Sequence, residues 1–172
     1  MNTYQKALIS VFLSLPCLIL TFSVHADTRS KPTPVLQVYQ SSDQPTRSTR
    51  LASEWDMSGL KALPQRSFTT HTPWYQQPVT FTGPLVRDVL NASKVSGVTI
   101  TAMALDEYKS RIPLSDVNKF DVILAHSING EPLNPKNKGP LFIVYPFDSK
   151  KQLQSVLYYQ RSVWQLKSLT VE

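Results

Sequence analysis

The segment Asp121–Pro146, DVILAHSINGEPLNPKNKGPLFIVYP, decides the fold of this chain. Its first part, Asp121 to Ile128, is a mainly apolar run that predicts a buried strand. Asn129-Gly130 is a dipeptide that favours a tight turn, because both residues tolerate positive φ angles. A second apolar run, Leu141 to Tyr145, predicts another core strand that Pro146 ends. Two core strands joined by a polar connection are therefore expected at the centre of the domain.

The remaining residues predict short strands and a few short helices. Four further segments show apolar or β-branched patterns typical of strands; these are 35–39, 65–70, 97–105 and 166–171. Three segments predict helices; these are 53–63, with Ser53 as N-cap and Pro64 after its end, 83–90, which begins at Gly83-Pro84, and 150–160. The stretch Phe68–Trp74, FTTHTPW, is predicted to form a loop. Because strands outnumber helices and do not alternate with them, we expect a single mixed α+β domain.

The N-terminus has the features of a secretory signal peptide. Ala7 to Val24 is almost wholly apolar, and the run ends in the small-residue cleavage signal Val24-His25-Ala26. We predict residues 1–26 as a signal peptide cleaved after Ala26, which places the protein in a bacterial periplasm. An uncleaved membrane anchor is the alternative, since the apolar run is near the lower limit for a spanning helix.

Cleavage at that position would define the mature protein. Residues 27–50 are predicted as an N-terminal lead and first strand, and 51–172 as the main domain. Loss of Lys6 reduces the formal charge from +6 by one. A mildly positive field would favour a small anionic ligand or an acidic partner surface. The basic residues are scattered and lack interleaved aromatic residues, so we expect no nucleic-acid binding.

Several kinds of chemistry lack their characteristic residues. The only cysteine, Cys17, lies in the predicted signal peptide, so the mature chain has no thiolate and no disulfide. His71 and His126 are its only histidines, and no ligand spacing for structural zinc is present. The glycine-rich nucleotide-binding motifs are missing. A Ser-His-Asp arrangement stays open, although the chain has no G-x-S-x-G motif.

The central segment resembles the oxidoreductase molybdopterin-binding domain, which has the sulfite-oxidase fold. That family shows the pattern LA…NG.PL……GGPLR.V.P. Similar patterns upstream are the family's W.GV.LRD.L helix and its A.D.Y strand end. The resemblance keeps order and spacing over residues 60–146. The matching residues are Gly83–Leu90, Ala104–Tyr108, Leu124-Ala125, Asn129-Gly130, Pro132-Leu133, Gly139–Leu141 and Val144–Pro146.

The chain departs from the family pattern at residues that matter for the metal. In molybdenum-binding members a cysteine thiolate ligates the metal, and that position falls near Thr70 in this sequence. A threonine hydroxyl cannot replace a soft thiolate ligand. Phe142 stands where the family usually has an arginine, and residues 159–166 lack the family's lysine-rich phosphate-binding segment. The resemblance therefore implies a site shaped for a pterin, with no molybdenum expected.

The chain more closely resembles a subgroup of short exported proteins of this fold that lack the cysteine. Some members are periplasmic pterin-binding proteins that relay pterin levels to a membrane enzyme that makes or degrades cyclic di-GMP. The resemblance implies a ligand sensor with no catalytic residue and no metal ligand, whose partner is the periplasmic domain of an inner-membrane signalling protein. The shared stretches are Phe68–Trp74, Phe81–Gly83, Asp106–Tyr108, Lys138–Pro140 and Arg161–Leu166.

Two other interpretations stay open at this point. One is a molybdopterin-dependent oxidoreductase, or an electron-transfer-associated subunit, whose metal is held without cysteine. The other is an assembly subunit in which the site is empty. The metal content of the protein distinguishes the first of these from a pterin sensor.

A pterin is a flat polar bicycle, so its site needs an aromatic plane and a carboxylate at the edge of the ring. Trp74 is the predicted stacking residue, and Glu107, with Asp106 as alternate, is the predicted edge contact. Each prediction has a structural alternative, such as a tryptophan that covers the core or a carboxylate that faces water. The predicted pterin-binding residues are Thr70, His71, Trp74, Glu107, Tyr108, His126, Lys138, Arg161 and Trp164.

Overall fold

Apolar and polar side chains alternate in the first strand, which puts Leu36 and Val38 on its buried face. The computed structural model describes residues 33–42 and 48–172, and in it both side chains are fully buried. This strand is not peripheral, because it pairs with neighbours on both of its edges. The predicted signal peptide, residues 1–26, lies outside the described residues.

The described residues form eleven strands and four short α-helices. The strands are β1 Leu36–Ser41, β2 Thr49–Trp55, β3 Gln65–Thr72, β4 Tyr75–Pro84, β5 Thr99–Ala104, β6 Lys109–Pro113, β7 Ile123–Ala125, β8 Ser127–Ile128, β9 Glu131–Pro132, β10 Phe142–Val144 and β11 Leu166–Val171. The helices are α1 Met57–Ala62, α2 Val86–Ala92, α3 Leu114–Lys119 and α4 Val156–Arg161, and 3₁₀ turns cover Phe147–Ser149 and Lys151–Leu153.

Three sheets arise from these strands. The largest has the order β2-β1-β11-β5-β6, in which β1 and β11 run parallel and the other neighbours antiparallel. A second, antiparallel sheet has the order β3-β4-β8-β9, and β7 pairs with β10. A bridge between Leu85 and Ile123 joins the end of β4 to β7. The expected mixed, strand-rich α+β domain is confirmed.

The central segment forms its predicted turn and core strands, but its first strand is divided. Asn129 and Gly130 have φ angles of 50° and 85°, as a tight turn between β8 and β9 requires. The predicted strand over Asp121–Ile128 breaks at His126, so that β7 and β8 belong to different sheets. β10 fills most of the second predicted strand, and all of its side chains are buried.

Several predicted elements differ from the structure. Ser53 lies in strand β2 rather than capping a helix, and the N-cap of α1 is Asp56, which accepts a hydrogen bond from the Gly59 amide at 2.6 Å. Helix α2 begins at Val86, because Gly83-Pro84 still belongs to β4. The sequence between 150 and 160 forms a 3₁₀ turn and a shorter helix, since Leu153 is drawn fully into the core.

The close approach of two strands explains why the Gly83–Leu90 motif begins with glycine. A side-chain carbon at this position would overlap the carbonyl group of Leu124, so only glycine lets β4 lie this close to β7. The end of β4 is thereby fixed against the core strand. Among the described residues, no helix has both the length and the apolar character needed to cross a membrane.

Candidate ligand-binding site

The β3–β4 hairpin places the stretch Phe68–Trp74 at one end of the domain. Most of FTTHTPW is strand rather than the expected loop, because β3 runs to Thr72 and pairs there with Tyr75. Only Pro73 and Trp74 form the turn, and the Trp74 amide donates a weak hydrogen bond to the Thr72 hydroxyl at 3.3 Å. The tight turn holds the indole of Trp74 against the body of the domain.

Trp74 lies at the centre of an aromatic cluster. Its ring makes edge contacts with four other rings, at centroid distances between 5.2 and 6.1 Å. Edge-to-face pairs of this kind add to the stability gained from burial. Trp74 is therefore both a core-covering residue and one wall of an adjoining cavity. The contacting residues are Phe142, Phe147, Tyr159 and Trp164.

An open cavity of about 410 Å³ adjoins this cluster, and we call it the aromatic cavity. Its walls come from the hairpin turn, the β5–β6 turn, helix α4 and the residues before β11. Its other lining groups are mainly apolar, with the polar side chains of Gln160 and Ser162 among them. The residues that give it its chemical character are Trp74, Asp106, Tyr108, Tyr159 and Trp164.

The β5–β6 turn puts Asp106 at the cavity rather than Glu107. Glu107 occupies the left-handed region with a φ angle of 68°, is exposed and does not line the cavity. Asp106 lines it, and its Oδ1 accepts a hydrogen bond from the Tyr108 amide at 3.1 Å. The Tyr108 hydroxyl donates to the backbone carbonyl of Gln160 at 2.9 Å, which ties the turn to α4.

Arg161 anchors α4 instead of facing the cavity. Its Nη1 lies 2.7 Å from Asp116 Oδ2, and the exposed fractions of the two side chains are 17% and 10%. The same oxygen accepts a hydrogen bond from the Tyr145 hydroxyl at 2.9 Å. Burial, and then the negative charge of Asp116, raises the pKa of Tyr145, so its hydroxyl stays protonated as a donor. Arg161 Nε is buried without a hydrogen-bond acceptor among the described residues.

A second, more polar cavity of about 340 Å³ lies on the other flank of the hairpin turn, and we call it the polar cavity. Asp148 Oδ2 accepts two hydrogen bonds from His71, one from the backbone amide and one at Nδ1, both at 2.8 Å. Thr70 is buried, and its hydroxyl accepts a hydrogen bond from the Asp148 amide at 3.0 Å. Tyr159 lines both cavities, so they are neighbours.

The pKa of Asp148 reflects these contacts. Burial acts to raise it, but the hydrogen bonds from the His71 amide and imidazole outweigh burial and leave the pKa below its ordinary value. Asp148 is therefore ionised at neutral pH and holds the His71 ring by Nδ1. The side chain of His71 is 70% exposed, which leaves the rest of its imidazole open to solvent or ligand.

His126 and Lys138 also do not line the aromatic cavity. His126 Nε2 is 3.0 Å from Gln65 Oε1, at the start of β3, which is about 20 Å along the strand from the hairpin turn. Burial, and then the positive charge of Lys61, lowers the pKa of His126. Lys138 lines a third cavity of about 210 Å³, and its ammonium lies over the rings of Tyr75 and Trp164.

The structure thus gathers Trp74, Tyr108 and Trp164 around one cavity, with Thr70 and His71 beside it. It also brings in Tyr159 and Asp148, which the sequence patterns did not identify. His71 and Asp148 are 77 residues apart in the chain, so no local pattern could have paired them. Tyr159 follows Tyr158 in an amphipathic segment, where an aromatic residue has no feature that separates a binding role from packing.

Comparison with known proteins agrees with the motifs of the central segment. Residues 48–149 match the sequence model of the oxidoreductase molybdopterin binding domain. The chain belongs to this family. The matched region contains the β3–β4 hairpin, the β5–β6 turn and Asp148, while α4 and Trp164 lie beyond it. A search of curated proteins gives no significant match.

Solved structures give the same fold. The sulfane dehydrogenase SoxCD from Paracoccus pantotrophus superposes with a TM-score of 0.56 at 16% sequence identity. The alignment covers 79% of this chain but only 38% of the SoxCD chain. At this identity the likeness concerns the fold, and the chain represents well under half of its structural neighbour.

The residues of this region do not supply the donor set that molybdenum takes in relatives with a ligating cysteine. The sequence resemblance puts Thr70 near that position, and its hydroxyl accepts the Asp148 amide. No group of three or more histidine, cysteine, aspartate or glutamate side chains in residues 33–42 and 48–172 is placed to hold a metal ion. Hydroxyl and imidazole groups are harder, weaker ligands than a thiolate for this metal.

Proposed function

We propose that this chain is an exported pterin-binding protein that works without molybdenum. In this proposal it senses the pterin for a membrane-bound enzyme that makes or degrades cyclic di-GMP, and it catalyses no reaction itself. The observation that carries the proposal is the aromatic cavity, which adjoins the hairpin where the family resemblance puts the metal of relatives, in a described part of the chain that contains no cysteine. Membership of a molybdopterin-binding family supports a pterin ring as the ligand.

The aromatic cavity has the size and the walls that a flat bicycle needs. Its volume of about 410 Å³ falls within the range of small-molecule sites. Trp74 and Trp164 meet nearly edge to face, with an interplanar angle of 83°, so a ring that stacks on one indole contacts the edge of the other. Asp106 offers carboxylate oxygens to the amino group and ring N–H of a pterin.

The polar cavity would receive the substituent of the ring. His71, Asp148 and Gln154 present donors and acceptors there, and Gln154 Nε2 donates to Asp148 Oδ1 at 3.3 Å. Tyr159, which lines both cavities, would contact the ligand where its ring and substituent join. A ligand with an apolar face and a hydrogen-bonding tail would use both cavities.

A protein partner is supported by the surface of α4. Val156 and Leu157 are 68% and 50% exposed on this helix, and Val156 also lines the aromatic cavity. Neighbouring apolar side chains on a surface are typical of interaction sites. The partner that we propose is the periplasmic domain of an inner-membrane signalling protein, which would respond to a ligand that alters this helix.

An oxidoreductase is the second candidate, and the fold likeness to SoxCD favours it. In that case the molybdenum cofactor would be held without a cysteine ligand. An assembly subunit with an empty site is a third possibility, and the exposed apolar side chains of α4 would then serve assembly alone.

The first experiment is analysis of the protein purified from the periplasm. We expect pterin by fluorescence and mass spectrometry of the extract, and molybdenum far below one atom per chain. Stoichiometric molybdenum would instead establish the oxidoreductase. If the extract contains no pterin and added oxidised or reduced pterins do not bind, the sensor proposal fails.

The sensor role has its own test in cells. Deletion of the gene should change cellular cyclic di-GMP, and the unmodified protein should restore it. Leu157→Lys should leave pterin affinity intact but fail to restore cyclic di-GMP, because Leu157 is exposed and does not line the cavity. Full restoration by this variant would show that α4 is not the partner surface.

A further inference from the structure

The aromatic cavity has a charge character opposite to that of the whole chain. The chain carries a formal charge of +6, which by itself favours anionic ligands. Among the residues that line the aromatic cavity, however, the only charged side chain is Asp106. No lysine or arginine of the described chain lines this cavity.

Two basic side chains close to lining residues make other contacts. Arg161 ends α4, and its guanidinium pairs with Asp116 at 2.7 Å in a largely buried site. Lys138 lies over the Trp164 ring at 5.5 Å and the Tyr75 ring at 5.4 Å, and it lines the third cavity. Neither residue lines the aromatic cavity.

The walls of the cavity are aromatic, and where a ring presents its face they add to the effect of the carboxylate. Aromatic faces carry partial negative charge, so they attract cations and electron-poor rings and repel anions. Four such rings line the cavity, from Trp74, Tyr108, Tyr159 and Trp164. Asp106 Oδ2 has no hydrogen-bond donor among the described residues, while Oδ1 accepts the Tyr108 amide. One carboxylate oxygen is therefore open to a ligand.

We propose that the aromatic cavity selects its ligand by charge, with Asp106 as the specificity-determining residue. It accepts a flat heterocycle that is neutral or cationic and that presents N–H donors at one edge. It rejects the same ring when a carboxylate or phosphate is attached close to it. This inference rests on the proposed pterin-binding function and narrows the class of pterin that the site takes.

The test compares two ligands that share the pterin bicycle and differ by one carboxylate group. Pterin and pterin-6-carboxylate are titrated against the purified protein at neutral pH and low salt, with binding followed by calorimetry. We expect the carboxylate to bind about tenfold more weakly, because at low salt its charge and that of Asp106 repel across the bicycle in a cavity that no basic side chain lines. Equal affinities, or tighter binding of the carboxylate, would overturn the inference.

A matched pair of variants assigns the selectivity to one residue. Asp106→Asn keeps the oxygen that accepts the Tyr108 amide and removes the charge, so the preference for pterin over its carboxylate should shrink to about threefold or less. Glu107→Gln removes one charge from the same turn outside the cavity and should leave the preference unchanged. If Glu107→Gln relaxes the preference and Asp106→Asn does not, the assignment to Asp106 is wrong.

The outcomes distinguish failure of this inference from failure of the proposed pterin-binding function. Failure of both ligands and of reduced pterins to bind, with no pterin in the extract, would refute the proposed function. Binding of both with similar affinity would leave the pterin site standing and remove its charge selectivity. Raised salt should reduce the preference, since screening weakens repulsion at a partly exposed site, and a preference that grows with salt would contradict an electrostatic origin.

Discussion

Asp148 and His71 are joined by two hydrogen bonds of 2.8 Å, one to the backbone amide of His71 and one to its imidazole Nδ1. A single carboxylate oxygen thus fixes both the edge of β3 and the orientation of a ring on it. This contact links the hairpin to the 3₁₀ turn Phe147–Ser149, and both residues line the polar cavity. Asp148 should therefore affect both the stability of this region and its contacts with a ligand.

The Asp148 link should make stability depend on pH. Because hydrogen bonds from His71 lower the folded-state pKa of Asp148, its contribution is present above the ordinary value of 3.8 and is lost as pH falls through the lowered pKa. Asp148→Asn should lower the free energy of unfolding by about 1 kcal/mol at pH 7, a modest value since the carboxylate is partly exposed. Urea titrations at pH 7 and pH 3 should show the difference shrinking in acid. A constant difference would contradict the linkage.

Thr70 should contribute through its hydroxyl rather than through its methyl group. The hydroxyl accepts the Asp148 amide at 3.0 Å in a buried position. Thr70→Val keeps the shape and leaves that amide without its acceptor, so we expect a loss of about 1–2 kcal/mol in the free energy of unfolding. Thr70→Ser keeps the hydroxyl and should lose less in the same denaturation experiment. A larger loss for serine would show that packing of the methyl group dominates.

The buried pair of Arg161 and Asp116 should matter more than exposed pairs. Arg161→Met leaves the Asp116 carboxylate with only the Tyr145 hydroxyl, and we expect a loss of about 3–5 kcal/mol. Arg87→Met provides the comparison, because its partner Asp121 is 60% exposed and the loss there should be below about 1 kcal/mol. Chemical denaturation of both variants measures the contrast. Similar losses would mean that burial does not strengthen the Arg161 contact.

In the largest sheet, the sequence predicts the interior strands better than the edge strands. β1 and β5 follow from period-two patterns, β11 from its apolar residues, and the tight turn from Asn129-Gly130, since these signals are local. β2 and β6 lie at the edges of the largest sheet, and β2 has no buried residue, so no apolar pattern marks it. Edge strands of this kind are formed by their neighbours rather than by their own residues.

The residues of the candidate site, too, could be predicted only in part from the sequence. Trp74, Tyr108 and Trp164 were predicted from motifs and do line one cavity. Asp106 and Glu107 are adjacent in sequence, and the turn, in which Glu107 has a positive φ angle, puts Asp106 at the cavity. Arg161 was predicted at the cavity because its motif neighbours Trp164. Its charge is instead held by Asp116, a partner 45 residues away that no local pattern indicates.

The two tryptophans of the cavity should respond differently to truncation. Trp74 packs on Phe142 and Phe147, which are fully buried, so Trp74→Ala should lower the free energy of unfolding by about 3 kcal/mol and weaken pterin binding as well. Trp164 is 36% exposed, so Trp164→Ala should reduce pterin affinity about tenfold at a smaller loss of stability.

Trp55 supplies the control for this comparison. It lies in β2, where its indole N–H bonds the hydroxyls of Ser53 and Ser93, and it does not line the cavity. Trp55→Phe should therefore leave pterin affinity unchanged in the same titration, with thermal unfolding recorded for all three variants. If Trp164→Ala binds pterin as tightly as the unmodified protein, the ring stacks elsewhere, and the polar cavity beside His71 becomes the next place to look for it.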